Sequence, residues 1–331
     1  MRELLNSKYP AITSLSEIDA VGHRIVAGGE IFDKSVVIDE NVIKGIEECS
    51  KLAPLHNPAA ILGIKACQTE MPEIPMVAVF DTAFHQTMPK ENYLYPIPME
   101  YYEKYGIRKY GAHGTSHKYV SQKVAELMGK PIEDLKIITC HIGQGASLCA
   151  VQGGKSVDTS MGLTPLGGVA MGSRSGDIDP SVITYIMEKE NLNAAQVEHI
   201  LNKKSGLLAL SGISADNRDV ERAIEQGDER AILALKAYDY IIAQYIGKYA
   251  VTMNGVDAIV FTAGVGEKGP ITREDVCNYL GFMGVELNKE INNITKDKET
   301  EISTPNSKVK VWVIPTNEEL MIARETVNLI K

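Results

Sequence analysis

The stretch Met76-Val77-Ala78-Val79-Phe80-Asp81 decides the fold class. Five consecutive apolar residues that stop at an acidic residue are typical of a short strand buried on both faces. Asp81 is then predicted to lie at the carboxyl end of this strand, where open α/β sheets bind their ligands. The stretch therefore predicts an α/β protein with a functional carboxylate at a sheet edge.

The same pattern recurs twice further along the chain. Apolar runs at 135–140 and 258–262 are each followed by a turn rich in glycine. Apolar residues at helical spacing predict helices over 117–128 and 230–253. Thr272-Arg273-Glu274-Asp275 resembles a capping box that opens a further helix. Strands that alternate with helices indicate a sheet with parallel neighbours.

The composition limits the partners and the compartment that can be expected for the protein. The chain has 331 residues and a formal net charge of −9, from 34 basic and 43 acidic side chains. An acidic protein attracts neither nucleic acid nor an anionic membrane surface, so neither is expected as a partner. No stretch approaches the roughly 18 apolar residues of a membrane span. The five cysteines form no CxxC pair, which is typical of the reducing cytoplasm.

Glycine loops, arginines and carboxylates together indicate phosphate chemistry. Arg174 follows a glycine-rich run, Arg24 precedes a glycine pair, and Asp81 and Glu318 follow predicted strands. Phosphoryl transfer needs such parts, because backbone N–H groups and guanidinium groups bind phosphate oxygens and carboxylates bind Mg²⁺. Neither a Walker A motif nor a protein-kinase glycine loop with a catalytic HRD occurs in the sequence. A surface turn with an incidental arginine remains the alternative for the Arg174 loop taken alone.

Six segments, in this order, resemble the acetate kinase family. The likeness runs from about Asp19 to the C-terminus, and the motifs are long and specific. The segments are Phe80-Asp81-Thr82-Ala83-Phe84-His85-Gln86, Tyr110-Gly111-Ala112-His113-Gly114-Thr115-Ser116-His117, Ser156-Val157-Asp158-Thr159-Ser160-Met161-Gly162, Arg174-Ser175-Gly176-Asp177, Phe261-Thr262-Ala263-Gly264-Val265-Gly266-Glu267 and Pro315-Thr316-Asn317-Glu318-Glu319.

The resemblance implies an α/β fold of two ribonuclease H-like lobes, the architecture of acetate and sugar kinases, Hsc70 and actin. Residues 1–82 with 317–331 are expected to form the first lobe, and residues 83–316 the second, which binds the nucleotide and dimerises. The implied reaction is reversible: ATP and acetate give ADP and acetyl phosphate, with ATP and Mg²⁺ in the cleft. A cytoplasmic homodimer is expected, with ATP or ADP and a short-chain carboxylate as its ligands.

The resemblance also implies roles for individual residues. Arg24 and Arg174 are expected to hold the carboxylate and the phosphoryl group, His113 to stabilise that group in flight, and Asp81 and Glu318 to position substrate and Mg²⁺. The residues expected around the acyl group are Val26, Leu55, His56, Ala112 and Pro165. The residues expected around the nucleotide are His141, Gly143, Gln144, Gly145, Asp216, Asn217, Arg218, Gly264, Val265 and Gly266.

Other interpretations of these residues stay open. His113 and His117 have the i, i+4 spacing of a zinc pair, but no HExxH glutamate accompanies them, and a structural hydrogen bond suits His117 better. Asp81 could cap a neighbouring turn. Arg24 could be a surface arginine in a salt bridge.

Some positions depart from the family pattern. The family opens with a strand and an Asn-x-Gly-Ser-Ser-Ser phosphate loop that this sequence lacks, so the first lobe is expected to lack its leading hairpin. Loss of a phosphate donor costs about 10²–10³-fold in rate, so strongly reduced or absent kinase activity is expected. Ala112 stands where phenylalanine is usual, which favours a longer acyl chain, and Gln144 replaces asparagine. The alternatives are therefore a propionate or butyrate kinase, or a nucleotide-binding remnant without catalysis.

Overall fold

The computed structural model describes residues 11–54 and 56–331. The strands are β1 (Val21–Ile25), β2 (Val36–Val37), β3 (Met76–Phe80), β4 (Lys136–Ile142), β5 (Ala146–Gln152), β6 (Lys155–Thr159), β7 (Ala258–Thr262), β8 (Thr300–Glu301) and β9 (Lys310–Val313). The α-helices are α1 (Glu40–Glu48), α2 (Asn57–Glu70), α3 (Lys90–Tyr93), α4 (Glu100–Tyr105), α5 (Gly114–Met128), α6 (Pro180–Glu190), α7 (Ala194–Lys203), α8 (Gly206–Ser211), α9 (Asn217–Glu225), α10 (Glu229–Thr252), α11 (Ala263–Lys268), α12 (Pro270–Asn278), α13 (Lys289–Ile294) and α14 (Glu318–Ile330). Short 3₁₀ turns lie at Leu15–Glu17, Cys49–Lys51, Ala83–Thr87, Ile132–Asp134 and Gly281–Met283.

The chain divides into two compact units. The first unit contains the described residues up to Phe84 together with Glu318–Lys331. Its sheet has the order β1-β3-β2, with β1 parallel and β2 antiparallel to β3. Every residue of β3 is buried, as its continuous apolar sequence predicts. The Asp81 amide donates to the carbonyl of Ile25 at 2.8 Å, so Asp81 lies at the carboxyl end of β3 as predicted.

The second unit comprises His85–Asn317. Its sheet has the order β6-β5-β4-β7-β9-β8, with a parallel centre of β4, β7 and β9 and antiparallel pairs on either side. The long helix α10 packs against α8, α12 and β5, and its apolar side chains form the core with those of the sheet. The predicted α/β class is confirmed, with one mixed sheet in each unit.

Helix α5 carries two predicted histidines and ends where the sequence indicates. Gly129 adopts a left-handed backbone (φ +64°) at its C-cap, a conformation that glycine reaches without strain. His113 at the N-cap is also left-handed (φ +56°), which is uncommon for a residue with a side chain. Such strained positions concentrate at functional sites. Among the described residues, His113 is one of five non-glycine residues with positive φ, which supports a functional role independently of its motif.

The capping-box prediction at residue 272 is wrong. Helix α12 begins earlier, at Pro270, whose fixed φ suits the first helical position. Thr272 and Arg273 are buried inside the helix, so neither caps it. In the part of the chain that the structure describes, no helix is long and apolar enough to cross a membrane.

Candidate active site

In the first unit, Arg24 and Asp81 form a fork-shaped ion pair. Arg24 lies on β1 beside β3, and Asp81 follows β3 directly. Arg24 Nε donates to Asp81 Oδ2 at 3.0 Å and Nη2 donates to the same oxygen at 2.7 Å. Burial alone would lower the pKa of Arg24, but the charge and hydrogen bonds of Asp81 raise this pKa above its usual value. The pair fixes the direction of the guanidinium.

Glu318, the first residue of α14, adds a second carboxylate to this group. Its Oε1 is buried and accepts no hydrogen bond, and Arg24 Nη2 lies 3.6 Å from it. Burial raises the pKa of Glu318, although Arg24 opposes this shift. A buried carboxylate oxygen without a hydrogen bond fits a magnesium ligand, because Mg²⁺ commonly takes one or two protein carboxylates and completes its shell with phosphate and water. The described residues contain no group of three or more acidic, histidine or cysteine side chains arranged for a metal.

In the second unit, the β4–β5 hairpin and the start of α5 bring two histidines together. His141 on β4 lies opposite Ser147 on β5. The ring of His113 stacks on the ring of His141, with centroids 4.1 Å apart and planes 21° apart. His113 Nδ1 lies 2.8 Å from Ser147 Oγ, and His117 Nε2 lies 2.8 Å from the same hydroxyl. A serine hydroxyl thus lies between His113 and His117, which argues against a zinc pair.

Arg174 projects from a loop that needs glycine. Gly176 is left-handed (φ +67°), and a Cβ there would lie 2.5 Å from the Gly168 carbonyl oxygen. Asp177 closes the loop, because its Oδ1 accepts from the Gly168 amide at 2.7 Å. The guanidinium donates to the Pro165 carbonyl at 3.0 Å and to the Met171 sulfur at 3.5 Å. Neither partner is charged, and burial lowers the pKa of Arg174.

Gly145 leaves open space between Arg174 and His113. A Cβ at this position would lie 3.4 Å from Arg174 Nη1 and 3.7 Å from His113 Nε2. The guanidinium of Arg174 and the imidazole of His113 therefore both approach one small volume. A tetrahedral anion suits such a place, because guanidinium and imidazole N–H groups bind its oxygens.

A cavity of about 320 Å³ opens beside this place in the second unit. Seven of the residues predicted for the nucleotide line it: Gly143, Gln144, Asp216, Asn217, Arg218, Gly264 and Val265. His141, Gly145 and Gly266 are not among its lining residues. The sequence did not indicate the other lining residues, Gly172, Leu207, Ala215, Glu221, Tyr238, Lys268 and Gly269.

Hydrogen bonds beside the cavity hold helix α11, which contributes Gly264 and Val265 to the cavity lining. Ala263, the first residue of α11, has a left-handed backbone (φ +63°), and its amide donates to Glu267 Oε1 at 2.7 Å. Arg273 is fully buried and donates to the carbonyls of Gly266 and Glu267, both at 2.9 Å. Burial lowers the pKa of Arg273 to about 10. These contacts fix the first turn of α11, which carries Gly264 and Val265.

At the cavity wall, Arg218 Nη2 donates to Asp216 Oδ2 at 2.6 Å. The hydrogen bonds from Arg218 lower the pKa of Asp216 to about 2. Both side chains reach solvent. The pair is thus accessible to a polar ligand such as a ribose.

The residues predicted for the acyl group lie in both units. Val26 and His56 belong to the first, and Leu55 lies outside the described residues. Ala112 and Pro165 belong to the second. Ala112 is 3% exposed within the core, and its carbonyl lies 2.9 Å from His85 Nε2.

With this geometry in place, comparison with known proteins gives the family. Residues 2–324 match the acetokinase family. The chain belongs to the acetokinase family. A curated acetate kinase of Thermotoga maritima is 62% identical over 333 residues, covering all of this chain and 83% of the relative. One from Carboxydothermus hydrogenoformans is 60% identical over 330 residues, covering 82% of the relative.

Solved structures of the acetokinase family have the same fold. The Porphyromonas gingivalis acetate kinase is 51% identical with a TM-score of 0.96, over 99% of this chain and 82% of that one. A propionate kinase from Francisella tularensis is 45% identical with a TM-score of 0.92, over 99% of this chain and 83% of that one. The predicted two-lobe kinase architecture is confirmed. The predicted loss of turnover stays a prediction.

Proposed function

We propose that the protein is an acetate kinase that transfers the γ-phosphoryl group of ATP to acetate, reversibly. Membership of the acetokinase family and the names of its relatives support this activity. The observation that carries the proposal is the small volume at Gly145, which Arg174 and His113 both approach. No carboxylate is recorded as a partner of Arg174 within the described residues, so its charge is available for an anionic ligand.

In the proposed reaction, a carboxylate oxygen of acetate attacks the γ-phosphorus. The bond from this phosphorus to the bridging oxygen breaks, and ADP leaves with that oxygen. Arg174 and His113 donate hydrogen bonds to the equatorial oxygens, which carry the charge in the transition state. Gly145 matters because any side chain there would occupy the place of those oxygens. Arg24, held in direction by Asp81, binds the acetate carboxylate.

We assign Mg²⁺ to Glu318, whose buried Oε1 accepts no hydrogen bond. Glu318 would hold Mg²⁺ together with the nucleotide, and the ion would supply positive charge to the phosphate oxygens. We assign the nucleoside to the cavity lined by Gly264, Val265 and the Asp216–Arg218 pair. The oxygens of Asp216 accept hydrogen bonds, as recognition of a ribose hydroxyl requires.

Propionate is the second candidate substrate. The Francisella tularensis relative with this fold is a propionate kinase, and Ala112 replaces a usual phenylalanine. One methylene changes discrimination by about 1–3 kcal/mol, so the preference would be modest. Rates with both acids in the native protein and in Ala112→Phe decide this, because an unchanged rate ratio would contradict the role of Ala112.

A cytoplasmic homodimer is also part of this proposal. All five cysteines are free thiols, which suits a reducing compartment. Exposed apolar side chains on the second unit, among them Tyr240, Tyr279 and Phe282, suit a contact between subunits. Analytical ultracentrifugation tests the assembly, and a monomer at micromolar concentration would contradict it.

The test of the activity is ATP formation from acetyl phosphate and ADP, read by luciferase. This readout detects slow turnover, so it separates an impaired kinase from an inactive protein. We expect ATP formation that depends on Mg²⁺ and greatly exceeds that of Arg174→Met. A folded native protein that makes no more ATP than this variant would overturn the proposal.

A further inference from the structure

Four polar side chains form a continuous buried chain that ends at His113. Thr139 Oγ1 lies 2.7 Å from His117 Nδ1. His117 Nε2 lies 2.8 Å from Ser147 Oγ, and Ser147 Oγ lies 2.8 Å from His113 Nδ1. Thr139, His117 and Ser147 are all fully buried. Because these side chains are shielded from water, each imidazole nitrogen that faces a hydroxyl must form a hydrogen bond with that hydroxyl, either as the donor or as the acceptor.

The sequence explains why these groups meet. Thr139 and His141 lie two residues apart on β4 and so share a face of the sheet. Ser147 pairs with His141 across the β4–β5 hairpin and lies on that same face. His113 at the N-cap and His117 in the first turn of α5 both face the hairpin, because each has a ring nitrogen 2.8 Å from Ser147 Oγ. The helix places both rings over the hydroxyl-bearing face of the hairpin.

The number of protons on these side chains fixes the direction in which each hydrogen bond is donated. His117 is neutral because burial holds its pKa well below the usual value, so it has one donor and one acceptor. In one order, Thr139 donates to His117 Nδ1, His117 Nε2 donates to Ser147, and Ser147 donates to His113 Nδ1. This order gives an acceptor to every proton on the three buried side chains.

The opposite order leaves a proton without an acceptor. His117 Nδ1 would then donate to Thr139, and the hydroxyl proton of Thr139 would have no recorded acceptor among the described residues. A buried donor without an acceptor is costly. The first order is therefore the stable one, and in it His113 Nδ1 accepts a hydrogen bond while Nε2 carries the proton.

The charged and titratable groups around His113 favour the same state. The ring of His141 from β4 stacks on it at 4.1 Å, and His117 reaches it through Ser147. Arg174 approaches from the glycine loop at the position of Gly145. A positive charge beside Arg174 is unfavourable. These neighbours therefore oppose formation of an imidazolium at His113.

We propose that Thr139, His117 and Ser147 are positioning residues that hold His113 as the neutral tautomer with its proton on Nε2. His113 then presents an N–H donor to its ligand without adding a positive charge. The identity of that ligand as a phosphoryl group rests on the proposed function. The tautomer does not, because it follows from the four side chains alone.

The direct test is imidazole ¹⁵N NMR of the native protein without ligand, labelled at histidine. The His113 signals are identified by their loss in His113→Gln. At pH 7 we expect the pattern of a neutral ring protonated at Nε2, whether or not the protein transfers phosphate. A ring protonated at Nδ1, or an imidazolium, would overturn the inference. If the tautomer is as expected and no transfer occurs, the proposed function fails alone.

Kinetics of Ser147→Ala supply a second readout. Without Ser147, the neutral His113 ring can place its proton on either nitrogen, so we expect kcat to fall about 10- to 100-fold at pH 8. Native kcat, or unchanged ¹⁵N signals of His113, in Ser147→Ala would contradict the inference.

Ser156→Ala is the matched control. Ser156 is also a fully buried serine bonded to a buried histidine, with its Oγ 2.8 Å from His85 Nδ1. It has no bond to His113. We expect this variant to keep the native tautomer signals of His113 and the native kcat at pH 8. The same changes in Ser156→Ala as in Ser147→Ala would show a general effect of buried serines and overturn the inference.

Discussion

The two units differ in the partners of their arginine side chains. In the first, Arg24 is tied to Asp81 by charge, and Glu318 lies close to both. In the second, Arg174 bonds only uncharged groups, and the nearby histidines bond to hydroxyls. A cation with a fixed counter-ion is suited to orienting a substrate, whereas a cation without one can bind a new anion strongly. The contrast supports our proposal that the phosphoryl group binds in the second unit.

The largest expected effect comes from His113. Replacement of His113 by Ala removes one donor to the developing charge, so kcat should fall about 10²–10³-fold. Steady-state assay of acetyl phosphate formation measures it. His199→Ala is the control, because His199 is exposed and should leave kcat unchanged. If His113→Ala retains native kcat, His113 does not donate to the transferring phosphoryl group, and the contrast between the two units loses its functional meaning.

Acid should destabilise the second unit through its neutral histidines. Burial lowers the pKa of His85 from 6.5 to about 4. In the unfolded chain His85 binds a proton below pH 6.5, whereas in the folded protein it stays neutral down to about pH 4. The unfolded state therefore binds more protons in this window, and stability is lost as pH falls across it. We expect a loss of about 3 kcal/mol in unfolding free energy from His85 by pH 4.

Urea unfolding at several pH values checks this expectation. His85→Asn should flatten the dependence between pH 6.5 and pH 4, whereas His199→Asn should keep it. Equal slopes in the native protein and His85→Asn would show that this histidine is not held neutral by burial.

A substitution at Gly145 tests whether a ligand occupies the space between Arg174 and His113. In Gly145→Ala the new methyl lies 3.4 Å from Arg174 Nη1 and 3.6 Å from His113 Cε1. We expect kcat to fall about 10-fold or more, because small displacements of catalytic groups have large effects. Gly247→Ala is the control, since Gly247 has nothing within 4 Å of its Cβ position. Native kcat in Gly145→Ala would show that no ligand occupies this volume.

The smallest expected effect belongs to the ion pair of the first unit. Asp81→Asn should lower the unfolding free energy by about 1–2 kcal/mol, since solvent screens the pair at Arg24, whose side chain is 42% exposed. The control is Glu47→Gln, which breaks an exposed pair with Lys65 and should cost less than about 1 kcal/mol. Thermal unfolding compares the two. An equal or smaller effect at Asp81 would weaken the assigned role of its charge.

The strands of the parallel cores could be predicted from the sequence because they are buried on both faces. The apolar runs at 76–80 and 258–262 coincide with β3 and β7. Strand β5 was missed, since Ala146–Gln152 mixes small, polar and apolar residues without a clear period. The turn of Gly153 and Gly154 between β5 and β6, both left-handed, was the available signal.

The candidate site was predictable only where a motif marked it. Glycines and arginines in the loops indicated Arg174 and Gly145, but nothing local indicated Thr139 or Ser147, whose roles come from pairing across a hairpin. The neutral state of His117 is also a tertiary property, because it follows from burial. Sequence thus located the groups that face a ligand better than the groups that hold them.

The most direct test of the account is a single-turnover measurement of phosphoryl transfer from ATP to acetate in Arg174→Met. ADP affinity is measured on the same sample, and Arg230→Met, which also removes an arginine that bonds backbone carbonyls, is the control. We predict that the transfer rate constant falls about 10²–10³-fold while ADP affinity and the control stay native. Native transfer by Arg174→Met would contradict the central claim that its free charge serves the phosphoryl group.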